Sequence, residues 1–96
     1  MIMQVVHLKS ALSEDELLAI AHERAPQFRA LSGLVQKYYL KRPGTGEYAG
    51  VYIWDSMESL AAFRQSDLAE SIAAAYEVSE PPEVEISEVM FPLREV

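Results

Sequence analysis

His7, Tyr39, Tyr52, Trp54 and Arg64 are the residues whose types and placement suit them to chemistry. An imidazole is a natural base for taking a proton from a weak acid, which makes His7 a candidate for that role. Tyr39, Tyr52 and Trp54 can form an aromatic wall that stacks a flat substrate while a phenol O–H holds its carbonyl or developing oxyanion. Arg64 closes an apolar helical stretch and can reach an anionic substrate. Each residue also has a purely architectural role open to it. His7 can be a strand-edge or interface histidine, the aromatics can fill space between subunits, and Arg64 can join a surface salt bridge.

The remaining titratable groups read as solvated. His22 belongs to the run His22-Glu23-Arg24, which suits the exposed face of a helix, and a zinc-binding helix would need a second histidine where Pro26 stands. Glu14, Asp15 and Glu16 fit the first turn of a helix, where the dipole favours negative charge. Glu80, Glu83, Glu85 and Glu88 surround a strand near the end of the chain. With no cysteine, disulfides, thiolate nucleophiles and cysteine-based metal sites are excluded.

Placing these residues requires the elements. Residues 2–9 are rich in Val, Ile and Leu and too short for an ordinary helix, so they predict a first strand. Ser13 and Glu16 form a capping-box pair, and Leu17, Ala21, Ala25 and Phe28 then predict a helix from about Glu14. Pro26 removes one helical donor, so a kink or restarted turn is expected there. Residues 34–42 and 47–54 predict two strands joined by the turn Pro43-Gly44-Thr45-Gly46. Because those glycines join two strands and lack the following Lys-Ser/Thr, they are not a phosphate loop.

With Arg42 opposite Glu47, the register pairs Tyr39 with Gly50 and Val35 with Trp54. Tyr39, Gly50, Tyr52 and Trp54 then share one face, and Tyr38, Leu40, Val51 and Ile53 the other. A register shifted by one would put Tyr38 in place of Tyr39. Asp55 or Ser56 caps a second helix carrying Leu60 and Phe63, and Ser66-Asp67 starts a further segment with Leu68, Ile72 and Ala75 or Tyr76 on one stripe. Pro81-Pro82 ends the helices. A last strand is expected from about Val84 to Phe91, with a bulge near Ser87-Glu88 because its apolar parity changes there.

Strand, helix, hairpin, helix, strand is the α+β ferredoxin-like βαββαβ order, a four-stranded antiparallel sheet with both helices on one face. Ninety-six residues support one such domain, spanning 1–96. Both faces of the sheet carry apolar residues, so a second subunit is expected to cover the open one, giving a homodimer. Fifteen acidic side chains against eight basic ones, a net charge of −7, argue against a nucleic-acid or anionic-membrane partner. No stretch has the length of a membrane span, and the N-terminus lacks a secretory pattern, so a cytoplasmic protein is expected.

Residues 33–39 (GLVQKYY), 50–60 (GVYIWDSMESL) and 66–69 (SDLA) resemble the dimeric α/β-barrel superfamily, and more narrowly its YdhR-like monooxygenases, relatives of the antibiotic-biosynthesis monooxygenases. The resemblance implies a homodimer that closes a barrel between two sheets, with a pocket in each subunit between sheet and helices. It also implies oxidation of small phenolic or quinone-like substrates without metal or flavin. In the haem-degrading branch the functional Trp, His and Asn would fall at Phe63, Ala73 and near Val6, so all three are missing here.

Two functions follow as expectations. One is a cofactor-independent monooxygenase acting on a small aromatic or quinol, with His7 as base and Tyr39, Tyr52, Trp54 and Arg64 binding substrate. The other is a non-catalytic module of the same fold that binds a hydrophobic ligand or serves a stress response.

Overall fold

The structure is a computed structural model and describes residues 1–95. Four strands, β1 (Ile2–Lys9), β2 (Leu34–Arg42), β3 (Glu47–Trp54) and β4 (Glu83–Glu88), form one antiparallel sheet in the order β2-β3-β1-β4. The helices α1 (Glu14–Arg29), α2 (Met57–Arg64), α3 (Asp67–Glu70) and α4 (Ile72–Ala75) cover one face of it. This is the ferredoxin-like α+β arrangement, with the second helix broken into three pieces.

Local chemistry sets the helix starts. Ser13 Oγ accepts from Glu16 N while Glu16 Oε1 accepts from Ser13 N, both at 3.2 Å, so two orphan donors are satisfied at the head of α1. Ser56 caps α2 by accepting from Ser59 N, and Ser66 caps α3 by accepting from Ala69 N. No restart occurs at Pro26, and α1 runs unbroken through it. The carbonyl that loses its donor belongs to the exposed residue His22, where water can replace the missing bond.

The hairpin register agrees with expectation from Arg42↔Glu47 through Tyr39↔Gly50 to Gln36↔Ile53. It then shifts, because Leu34 and not Val35 pairs with Trp54, leaving Val35 as an unpaired extra residue. The bulge expected in β4 is absent. β4 ends at Glu88, paired with Ile2 of β1 without a register shift, and Val89 N donates to Met1 O at 2.9 Å as the ladder finishes. Phe91 therefore lies outside the strand and is exposed.

The core sits between helices and sheet. Phe28 from α1, Tyr52 and Trp54 from β3 and Phe63 from α2 pack ring against ring at centroid distances of 5.2–6.2 Å. These four rings are joined in the core by Ile2, Val6, Leu17, Ala21, Leu60, Ile72 and Tyr76. Trp54 is fully buried, and its Nε1–H donates to Oε1 of the buried Gln4 at 2.9 Å, so neither polar group is stranded.

Among the described residues, no helix covers the opposite face. There β1 presents Met3, Val5 and His7, β3 presents Ala49, Val51 and Ile53, and β2 presents Tyr38 and Leu40. Tyr38 and Leu40 are each about half exposed, at 53% and 48%.

Candidate functional site

Two depressions lie on opposite sides of the sheet, and they differ in how their charge is satisfied. The open face holds a groove of about 670 Å³ that contains His7, Leu40, Ala49 and Glu85. Its charges are largely matched: His7 Nε2 lies 3.3 Å from Glu85 Oε1, Lys9 Nζ 3.7 Å from Glu80 Oε2, and Arg42 Nη1 3.1 Å from Glu47 Oε2. These are exposed pairs, each worth at most about 1 kcal/mol. His7 is thus a strand histidine with a carboxylate neighbour, on the face away from Tyr52 and Trp54.

The helix side holds a smaller cavity, about 30 Å³, lined by Val6, Leu8, Leu17, Lys37, Tyr39, Tyr48, Gly50, Tyr52, Ile72 and Tyr76. That volume accommodates about one water-sized group. Alternation along β2 and β3 aims Lys37, Tyr39 and Tyr52 into it, and Gly50 makes room by having no side chain. A Cβ there would stand 3.2 Å from Tyr52 Cε1 and 3.5 Å from Lys37 Cε. Tyr39, 41% exposed, stands at the mouth.

On this side Lys41 Nζ pairs with Glu14 Oε1 of α1 at 2.7 Å, whereas Lys37 and Arg24 have no carboxylate partner among the described residues. The Lys37 amine lies 3.6 Å from the ring centroid of Phe28, 4.4 Å from that of Tyr39 and 4.5 Å from that of Tyr52. Arg24 of α1 donates from Nη2 to Ser71 Oγ at 2.9 Å, while its Nε is buried with no partner in the protein. The hydroxyl of Tyr76 is buried next to the same Arg24 side chain.

Burial favours the neutral forms. Lys37 is pushed down to about 7, first by desolvation and then by the charge of Arg24. Tyr39, Tyr52 and Tyr76 are all held above the usual phenol range, mainly by burial. The result is an amine able to accept a proton near pH 7, beside three phenols that remain donors.

The expected site residues are therefore divided. Tyr39, Tyr52 and Trp54 share the helix-facing side, where Trp54 stacks on Tyr52 at an interplanar angle of 2° but lies too deep to line the cavity. Tyr52 and Trp54 are spent in the chain's own core and not between subunits. His7 lies across the sheet, and Arg64 is exposed at the last turn of α2. Lys37 lines the cavity, and Arg24, in a run expected to be solvated, stands close enough to act on it electrostatically. Its signal was its spacing, since Leu17, Ala21, Arg24 and Phe28 form one helical stripe. Lys37 shares strand parity with Tyr39, and Tyr76 falls four residues after Ile72.

The fold and this amine-phenol site define a ferredoxin-like α+β protein with an aromatic cavity, lined by Lys37, between sheet and helices. No protein-family model matches the chain, and no curated protein matches it. Solved structures do share its fold. SnoaB, a cofactor-independent oxygenase from Streptomyces nogalater, superposes with a TM-score of 0.77 at 16% identity, covering 98% of this chain and 97% of that one. A Deinococcus radiodurans protein provisionally named an antibiotic biosynthesis monooxygenase gives 0.76 at 13% identity, covering 100% and 99%. NE2512 from Nitrosomonas europaea, a protein of unknown function, gives 0.79 at 19% identity, covering 99% and 94%. The chain thus has the fold of the antibiotic biosynthesis monooxygenases along its whole length.

Proposed function

We propose that the protein is a cofactor-independent monooxygenase acting on a small phenol or quinol bound on the helix side of its sheet, with Lys37 as the base. The observation that carries this reading is the Lys37 amine, held near neutral pKa inside a cage of Phe28, Tyr39 and Tyr52. The shared fold of SnoaB, a cofactor-independent oxygenase, supports it. Placement in the narrower YdhR-like branch rests on the sequence segments alone.

Neutral Lys37 takes the substrate's proton, and the substrate anion passes one electron to dioxygen. The radical and superoxide then combine at the reacting carbon, and the hydroperoxide loses water to leave a carbonyl. For a phenol with a hydrogen on the reacting para carbon, one O₂ yields the quinone and one H₂O, the second hydrogen coming from the phenol O–H, so the electrons balance without an external reductant. Tyr39 stacks the ring at the mouth, while Tyr52 and Tyr76 supply donors for the developing oxyanion. His7 and Arg64 stand outside this chemistry.

The same reading makes the protein a homodimer through its open sheet face. Met3, Tyr38 and Leu40 are exposed there, and the tail beyond β4 adds Met90, Phe91 and Leu93, 92%, 72% and 84% exposed. An apolar surface of that extent in a small chain calls for a partner, and a second copy presents the same surface.

The cavity volume of about 30 Å³ favours a second reading, a binding module that holds a small ligand without turning it over. Oxygen uptake separates the two. The metal-free protein is assayed against phenols, hydroquinones and anthrone-like compounds, beside Lys37→Met and His7→Ala. Uptake lost in Lys37→Met and kept in His7→Ala supports the oxygenase and the helix-side site. Uptake lost only in His7→Ala moves the site across the sheet, and no uptake on any substrate leaves the binding module.

A further inference from the structure

The helix-side cavity, about 30 Å³, has room for about one water-sized group and not for an aromatic ring. Sites that enclose a small organic ligand run to about 300 Å³ or more, so some wall must yield before a ring can enter. Most of the lining stands on hydrogen-bonded strands, and Leu17 stands on α1, a continuous 16-residue helix with three residues in the core. The remaining wall is Ile72 and Tyr76.

That wall belongs to residues 66–76, where the expected helix is broken. α3 and α4 have four residues each, below the length at which a helix sustains itself, and Ile72 is the one buried residue of the two. Both ends of the segment are tied down. Ser66 N donates to Phe63 O at 2.9 Å at the first, while at the second Ser10 Oγ donates to Tyr76 O at 2.6 Å and Val78 bridges to Ser10. Glu77, beside the second tie, has φ +49°, an angle uncommon for a residue with a side chain. Between the ties, the hydrogen bonds reaching the segment from another element come, among the described residues, from Arg24 of α1. Its Nη2 donates to Ser71 Oγ at 2.9 Å and to Leu68 O at 3.4 Å, at the joint between α3 and α4.

We infer that residues 66–75 are a lid over the helix-side site, latched to α1 by Arg24 and lifted as a unit to admit a ring-sized ligand. The inference rests on the site of the oxygenase reading and adds how that site is entered. A segment tied at both ends swings without unfolding the chain around it, carrying Ile72 off the cavity and returning it to shut water out once the ring is seated. Arg24 contacts the lid and not the cavity lining, which makes it a positioning residue. Its guanidinium also lies 5.9 Å from the ring centroid of Tyr76, so one side chain spans the joint and the second tie.

Two measurements at pH 7 test this together: amide hydrogen exchange by NMR, and the rate at which 4-nitrophenol, under argon, quenches the fluorescence of Trp54. In the native protein the bonded amides of Glu70, Ser71 and Ala75 exchange at least about tenfold faster than those in the middle of α1, because the lid opens without global unfolding. Arg24→Met and Ser71→Ala each speed both that exchange and the quench about tenfold, the loss of one hydrogen bond from a cation, and leave the α1 amides unchanged. Ser71→Thr keeps the hydroxyl and behaves as native. Arg24→Met leaves Ser71 its own bond to Leu68 O, so a response to Ser71→Ala alone overturns the latch. Lid amides as slow as those of α1, a quench rate indifferent to both variants, or no quench at all overturns the inference. A lid that opens and admits the phenol with no oxygen uptake in air overturns only the oxygenase. Uptake with lid amides as slow as those of α1 overturns only the lid.

Discussion

Lys37 and Tyr52 are direct cross-strand partners of β2 and β3, and the lysine nitrogen lies 4.5 Å from the tyrosine ring centroid. An amine over a ring gains about 0.5–2 kcal/mol from the cation–π attraction. Desolvation outweighs that gain here, since it lowers the amine from 10.5 to about 7. At roughly 1.4 kcal/mol per pH unit, keeping Lys37 charged in the folded state costs a few kcal/mol.

Stability therefore rises with pH over a defined window. Between about pH 7 and 10.5 the unfolded chain keeps a proton on Lys37 that the folded chain has released, so raising pH favours folding. Below 7 both states are charged and the slope vanishes. Above 10 the raised values of Tyr52 and Tyr76 act oppositely, because the unfolded phenols ionise first. Urea titrations at pH 6, 7.5 and 9 should show the rise in the native protein. Lys37→Met should lose it and be more stable than native at pH 6, and a slope retained in the variant would place its origin elsewhere.

Gly33 precedes β2 with φ +84°, and an added Cβ would press into the Ser59 side chain and stand 2.7 Å from Asp55 Oδ1. Ser59 Oγ donates to Asp55 Oδ1 at 2.6 Å, holding the start of α2. Gly33→Ala should cost at least about 2 kcal/mol, the left-handed penalty plus the disturbed cap. Thermal melting checks this, and a loss below about 0.5 kcal/mol would mean that the turn adapts freely.

Gln4→Leu keeps much of the side-chain volume but strands the Trp54 indole N–H. A loss of about 1–3 kcal/mol is expected. Trp54 is the only tryptophan, so its fluorescence reports the unfolding directly.

Tyr38→Glu puts a charge on the half-exposed apolar side of β2, opposite Val51. If two sheets meet there, the variant should elute as a folded monomer, while native protein elutes as a dimer. A native monomer by light scattering would remove the homodimer from the proposal.

Much of this architecture was legible because the hairpin is nearly self-specifying. A four-residue turn with Gly44 and Gly46 at positive φ fixes Arg42 against Glu47, and the faces of Tyr39, Tyr52 and Trp54 follow by alternation. The Val35 bulge carried no such mark, since no glycine or proline announces it. The parity change after Ser87 misled because the strand itself ends at Glu88, so Val89 and Phe91 follow it instead of continuing its alternation. Aromatic residues were visible as a constellation, but the charged members of the site were not. Arg24 and Lys37 have the composition of surface residues, and only their spacing put them inside.

The extra residue at Val35 acts as a parity adjuster for β2. Leu34 at its start and Lys37 and Tyr39 further along differ in sequence parity, yet all point toward the helices. Deleting Val35 would straighten the strand and keep every side chain on its present face. Deleting Gln36 while the bulge at Val35 persists would turn the rest of the strand over, exchanging Tyr38 and Leu40 for Lys37 and Tyr39. A one-codon change thus separates a lineage with its cavity furnished by a lysine from one with that lysine on the outer surface, and length variation here is a route by which this scaffold can gain or lose a chemistry.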